Sequence, residues 1–369
     1  MLLVLIYLPQ IHRAIAPIGQ AILQLDPAGS TLTHRHQFLL DLALESGDFG
    51  SAVPVLDHVI LYFPTQNNQV KHKFICELNL PASSYINTTH KPKHIDVLEY
   101  FYYGAMVYIG CRRWEDAAEF LESAISYPTK DHAVSKIMVE AYKKWALVSV
   151  LAHGKAGSIP KSVTNTASKS FHTIAKPYET LAEIFLSGTA SRLKSEAEIG
   201  QQIWKDDRNY GLVLHLLAAY QKNQIRNLAN VYSQISIPEV HNMTTSAEIG
   251  GKLPNQAAAA TLVKDMIDAG ELQATLSQPT TGPAILTFSV TGPVLSETEM
   301  QRELQASAAR INFLNTEIKN TDKILTHDKE YIKWAQKQKK NAKNGDQGIA
   351  GSDMEWNVGD DEELMSGVF

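Results

Sequence analysis

Residues 98–128 read LEYFYYGAMVYIGCRRWEDAAEFLESAISYP, and residues 134–155 continue with VSKIMVEAYKKWALVSVLAHGK. Apolar positions recur there every three or four residues: Leu98, Phe101, Tyr102, Ala105 and Tyr108, then Ala117, Leu121, Ala124 and Ile125. That period belongs to amphipathic helices packed on one another rather than to strands. Gly104 falls where a small residue lets a second helix approach closely. Gly110 with Arg112 and Arg113 marks the end of the first helix, Trp114 opens the next, and Pro128 stops it. Two helices joined by a tight turn, repeated, form the unit of a helical solenoid. In that setting the tyrosines at 100, 102, 103 and 108 read as core rather than as a stacking platform.

Composition narrows the class. The chain has 369 residues, enough for two domains with their own cores, and 44% of them are hydrophobic and 20% charged, as in soluble intracellular proteins. A formal net charge of −5 does not suit a protein that coats nucleic acid. Two cysteines, Cys76 and Cys111, make no disulfide framework and no CxxC pair, which fits a reducing compartment. The opening MLLVLIYL is too short to span a bilayer, which needs about 20 apolar residues. It also lacks the basic start of a signal peptide, so it reads as a buried or truncated helix. The sequons at Asn87 and Asn242 are of a kind that occurs by chance.

The rest of the chain repeats the helical unit. One face is Ile15, Ile18, Ala21, Ile22 and Leu25, and the next is Phe38, Leu39, Leu42 and Ala43, ended by Gly47. A third, Ala52, Val55, Leu56, Val59 and Ile60, is closed by Pro64. Residues 85–93 read as a loop. Val134, Ile137, Met138, Ala141, Trp145 and Val148 continue the pattern to Gly154. Then come Ile174, Tyr178, Leu181, Ala182 and Phe185 to Gly188, and Leu212, Val213, Leu216, Leu217 and Tyr220. The tetratricopeptide signature is met only in part: Gly104, Ala124 and Pro128 are spaced correctly, whereas Ala117 and Leu121 come one residue late.

Near Leu228 the pattern changes. Ser236-Ile237-Pro238-Glu239 is a capping box with proline in the first turn, and Asn255 caps a helix bearing Ala259, Leu262, Val263, Met266 and Ile267. Two alternating runs, Leu272-Ala274-Leu276 and Leu286-Phe288-Val290, flank a Gly/Pro loop and predict a β-hairpin. Helix, helix, hairpin is the order of a winged helix. Its apolar edge at Leu286, Phe288 and Val290 is expected to accept a neighbouring strand. From residue 294 a long helix runs without a breaker to about Asn344. Leu304, Ile311, Ile318, Leu325 and Ile332 fall at seven-residue intervals, joined by Leu314. One narrow apolar seam on so long a helix calls for partner helices. The Gly-rich acidic end reads as a disordered tail.

Chemistry leaves no comparable mark. HExxH and GxSxG are absent, and Gly154-Lys155 and Gly251-Lys252 lack the remainder of a phosphate-binding loop. His34 and His36 point to different sides of a helix, and Pro92 between His90 and His94 argues for loop. No metal, cofactor or small-molecule substrate is expected. The recognition helix of the winged helix, NQAAAATLVKDMIDAG, sets Lys264 against Asp265 and Asp268, too little positive charge to neutralise phosphates. Lys333, Lys337, Lys339, Lys340 and Lys343 read as a solvated helix end, where cations suit the dipole, with a nuclear-import patch as the other reading.

The segments YFYYGAMVYIG, AISYP, VSKIMVEAYKKWALVSVLAHGK and VKDMIDAGEL, in that order, resemble the third-subunit family of the COP-nine signalosome, a PCI-domain family. The resemblance covers roughly residues 16–290 and is weaker from Arg192 to Tyr210. It implies a mainly α chain in five parts. These are N-terminal helical repeats (1–96), PCI helical repeats (97–227), a winged helix (228–292), a C-terminal bundle helix (294–343) and an acidic tail (344–369). It further implies a non-catalytic scaffold in cytoplasm and nucleus, joined to sister subunits by the winged-helix edge and the helical bundle. The complex removes the Nedd modifier from cullins, with its metalloprotease centre in another subunit. Family chains are longer at the N-terminus, so MLLVLIYL reads as a truncated arm or a mis-assigned start. Three other readings stay open: a PCI subunit of the proteasome lid or of an initiation factor, a nucleic-acid-binding winged helix, and a stand-alone hydrolase.

Overall fold

The computed structural model describes residues 12–26, 31–60, 63, 93–128, 134–278, 282–289, 296–327 and 329–344. The start MLLVLIYL, the acidic tail, Cys76, Val290 and all of the 85–93 loop except Lys93 lie outside these residues. The chain divides into two units, Met1–Val290 and Thr291–Phe369.

The first unit is predominantly helical. It holds α1 (His12–Leu25), α2 (His34–Ser46), α3 (Val53–Leu56), α4 (His94–Gly110), α5 (Trp114–Ile125) and α6 (Lys136–His153). There follow α7 (Asn165–Ile174), α8 (Lys176–Ser187), α9 (Ala190–Ile199), α10 (Gln201–Asp206) and α11 (Tyr210–Leu228). Each is set locally. Asp96 accepts from the Lys93 amide at 2.8 Å to start α4, and the Ser135 hydroxyl accepts from the Met138 amide at 3.2 Å to start α6. Gly47 and Gly154 take left-handed backbone after α2 and α6, closing each with an N–H to the carbonyl four residues back.

The opening stretch forms the pair α4 and α5. Gly104 sits against the Phe120 ring, closer than any side chain would permit. Phe120 in turn is ringed by Tyr100, Phe101 and Tyr108, with centroids 5.9, 5.7 and 5.1 Å away. Tyr100 and Tyr108 are core residues. From Ala141 to Leu151 every residue of α6 is buried, as expected of a helix at the centre of a bundle. One continuous apolar core runs from Ile15 on α1 to Tyr220 on α11, passing without interruption from α2 to α4.

Several faces differ in detail from the sequence pattern. Leu25, Phe38, Val59 and Ile174 are exposed. On α2 the buried set is His36, Leu39, Leu40 and Ala43, so the face is rotated from the expected one and Leu40 takes the place of Phe38. The third helix is a single turn, with Pro54 in its first turn. Ile174 ends α7 because Pro177 cannot continue a helix and instead opens α8.

At Leu228 the architecture changes, as the sequence pattern does. Strand β1 (Gln234–Ser236) leads into α12 (Ile237–Met243), then come α13 (Gln256–Asp268), β2 (Ala274–Ser277) and β3 (Ile285–Phe288). The three strands form an antiparallel sheet in the order β1-β3-β2. Two helices and this sheet make a winged helix, with a core of its own built from Ile225, Ile235, Val240, Val263, Met266 and Leu286.

The second unit holds α14 (Glu297–His327) and α15 (Lys329–Asn344). Ser296 caps α14 and accepts the reciprocal bond of Glu299, whose carboxylate takes the Ser296 amide at 3.0 Å. The region expected as one long helix is helical over 297–327 and 329–344, and residue 328 lies outside the described residues.

Candidate assembly surfaces

The winged-helix sheet corrects the expected edge. Strand β3 is central: Leu286 pairs with Ile235 of β1 on one side and Leu276 of β2 on the other. Leu286 is 0% exposed and Phe288 is buried beside it. Neither can meet a partner, because both face α12 and α13 as core. Val290 lies outside the described residues. The sequence missed β1 because the segment 234–236 carries one apolar residue, Ile235, and shows no alternation. Among the described residues the free strand edges belong to β1 and β2. The outer face between them is polar, with Gln234, Thr287 and Thr275 in one row and Ser236, Ile285 and Ser277 in the next. That leaves a short edge able to pair backbone with an incoming strand.

The recognition helix α13 turns Gln256, Thr261, Lys264, Asp265 and Asp268 outward. One lysine against two aspartates offers little to a phosphate backbone.

The seven-residue seam is exposed on its helices. Leu304 is 65%, Ile311 58% and Ile318 58% exposed, and Ile332 on α15 is exposed beside Tyr331 and Trp334, whose rings stack at 5.7 Å. Leu314 is half-buried. Leu325 lies on α14 within the same register. Burying an aliphatic side chain of this kind stabilises by about 1.5–3 kcal/mol.

The arm contains a polar network that the sequence did not reveal. Lys143 on α6 bonds Glu140 and, from the turn before α11, Asp207, each at 2.9 Å. The Tyr178 hydroxyl donates to Asp207 at 2.8 Å and accepts from Asn209 at 2.9 Å. Lys144, 5% exposed, donates to the Asn209 side-chain oxygen and lies over the Tyr102 ring. Burial pushes the Lys144 ammonium down to about 8. Burial acts on Lys143 in the same direction, but its hydrogen bonds to Asp207 and Glu140 outweigh it and raise its pKa. The hydrogen-bonding partners come from α6, α8 and the α10–α11 turn, so the network ties these three segments together. The only signal in the sequence was the paired lysines inside an apolar helix.

Among the described residues no group of three or more His, Cys, Asp or Glu is arranged to hold a metal, and no helix is long and apolar enough to cross a membrane. His36 is buried with its Nδ1 3.0 Å from the Thr33 hydroxyl, and His94 bonds the Tyr127 hydroxyl at 2.8 Å. Each imidazole is thus engaged by a hydroxyl through its Nδ1, while the Nε2 of His36 is buried with no hydrogen-bond partner among the described residues. His90 lies outside the described residues.

Relatives place this architecture. Residues 1–167 match a family model described as COP9 signalosome complex subunit 3, N-terminal helical repeats. A Neurospora crassa protein named COP9 signalosome complex subunit 3 is 35% identical over 368 residues, spanning 96% of this chain and 74% of its own length. Its namesake from Emericella nidulans is 32% identical, with 95% and 72% covered. Helical repeats running into a winged helix are the layout of a PCI domain. On the identity shared along nearly its whole length, the chain belongs to the COP9 signalosome complex subunit 3 family.

Proposed function

We propose that this chain is a non-catalytic scaffold subunit of a COP9 signalosome, the complex that removes the Nedd modifier from cullins and so regulates cullin-RING ubiquitin ligases. The arm sets the distance between contacts, the free edges of β1 and β2 extend a sheet shared with sister winged helices, and α14 and α15 enter a common helical bundle. The seam of Leu304, Ile311, Leu314, Ile318, Leu325 and Ile332 is the bundle contact. The hydrolytic metal centre belongs to another subunit, and this chain works in cytoplasm and nucleus without cofactor, nucleic acid or membrane. The observation that carries the reading is the exposed seam on a 31-residue helix in a chain of this family. A helix with one apolar stripe gains its stability and its specificity from other helices.

The test is the double substitution Ile311→Asp and Ile318→Asp, followed by affinity purification and identification of the co-purifying chains. The arm is expected to keep its unfolding midpoint while sister subunits are lost. Normal incorporation of the variant would refute the bundle contact. The isolated chain is expected to leave a neddylated cullin intact, and measurable turnover would refute the scaffold role.

A further inference from the structure

The turn between α4 and α5 faces the C-terminal ends of α6 and α11 across a groove of about 620 Å3. Arg112, Trp114, Glu115, Asn223, Asn227 and Asn230 all line it. Two further arginines at its border are already engaged. Arg113 pairs with Asp57 at 2.8 Å and Asp116 at 2.7 Å, and Arg226 pairs with Glu271 at 3.6 Å.

Arg112 is different. It is exposed, and among the described residues its guanidinium has neither an ion pair nor a hydrogen bond. Its backbone has φ +59°, in the left-handed region. A side chain there costs about 1–2 kcal/mol, and glycine is the favoured occupant. Arg208 stands at the matching place in the turn before α11, at φ +56°, closed by the same backbone pattern: Arg113 to Tyr108 at 2.9 Å in one turn, Asn209 to Trp204 at 2.8 Å in the other. Left-handed backbone therefore belongs to this kind of turn, and what sets Arg112 apart is its place on the groove wall.

The asparagines supply the second observation. Asn223 and Asn227 lie one turn apart on α11, and Asn230 follows in the turn just after it. None of the three side-chain amides has a hydrogen bond among the described residues. Each offers one acceptor and two donors, the complement of a peptide unit. Four helical residues rise about 6 Å, and two residues of extended chain span about 6.7 Å. An extended peptide laid along α11 would thus meet Asn223 and Asn227 two of its residues apart. Gly154 makes the room: a methyl group there would come within 2.6 Å of the Asn223 side-chain oxygen. Trp114, braced by the His215 ring at 5.6 Å, provides an apolar wall.

The charge is mixed. Glu115 has no cationic partner among the described residues, and the C-termini of α6 and α11 add negative ends. A polyanion would be repelled by these, whereas a peptide with one or two carboxylates would not. We infer that this groove binds an extended, carboxylate-bearing peptide segment of a partner protein, with Arg112 taking the carboxylate and the asparagine amides pairing with the peptide backbone. The inference goes beyond the scaffold role and holds for whatever assembly the chain joins.

The experiment is fluorescence polarisation of the full chain with a labelled nonapeptide of alternating Ser and Gly carrying one Glu at its centre, and with its Gln-for-Glu counterpart. The Glu peptide is expected to bind at least about tenfold more tightly, the value of one charge-assisted hydrogen bond. Arg112→Gly suits the left-handed turn, so it is expected to weaken the Glu peptide about tenfold while holding or raising the unfolding midpoint. Asn227→Ala is expected to weaken both peptides, and Glu115→Gln to strengthen the Glu peptide. A single-stranded oligonucleotide is not expected to compete. Absent binding of the Glu peptide, equal binding by R112G, or stronger binding of the oligonucleotide would each overturn the inference.

Discussion

Gly104 allows the packing of the arm to be tested through a single methyl group. A Cβ built on it would lie 2.7 and 2.8 Å from two atoms of the Phe120 ring and 3.2 Å from Leu56 Cδ2. The ring cannot swing aside freely, because Tyr100, Phe101 and Tyr108 enclose it. Overpacking of this kind costs about 1–3 kcal/mol. Alanine returns up to about 1 kcal/mol through helix propensity, leaving Gly104→Ala less stable by roughly 1 kcal/mol. Gly211, at the start of α11, has nothing within 4 Å of a built Cβ. Gly211→Ala therefore keeps only the propensity gain, about 0.5 kcal/mol at a helix end. The two variants make the same chemical change with opposite expected signs. Urea unfolding measures it: at an unchanged slope the midpoint of G104A falls and that of G211A rises. A G104A midpoint at or above that of the unmodified chain would refute the close approach of α4 to α5.

Three further outcomes are expected. His36 is held at about 4 by burial, below its ordinary value of 6.5. The folded state therefore resists a proton that the unfolded chain accepts, and stability present above pH 6.5 is lost as pH falls towards 4, by up to about 3 kcal/mol. His36→Asn is expected to flatten that part of the stability–pH curve, and an unchanged curve would exclude His36 as its source. Asp207→Ala removes one partner from Lys143 and one from Tyr178, for an expected loss of about 3 kcal/mol; a thermal midpoint equal to that of the unmodified chain would show the network to be dispensable. Leu286→Ala is expected to destabilise the isolated chain by about 2–4 kcal/mol as a core truncation. Unchanged stability with lost assembly would instead return Leu286 to an interface.

Local features were legible in the sequence. Ser236 with Glu239, Asn255 at α13, Gly154 after α6 and the change of pattern at Leu228 all stand where the sequence puts them, because caps and helix ends depend on hydrogen bonds spanning about four residues. The seven-residue period of Leu304, Ile311 and Ile318 can be read from the sequence alone, and these side chains are exposed. Non-local pairings were not legible. Strand β1 exists because Ile235 finds Leu286 more than 50 positions later, and that one pairing turned β3 from an edge into the centre of the sheet. The rotation of α2 that buries His36 and exposes Phe38, the Lys143–Asp207 bond across 64 residues and the groove beneath Arg112 likewise depend on which helices meet. The sequence by itself determined most of the helices and their caps, the change of pattern at Leu228 and the family. Tertiary structure decided which residues those elements bury and which surfaces they leave open, because burial follows from contacts between segments that no local period records.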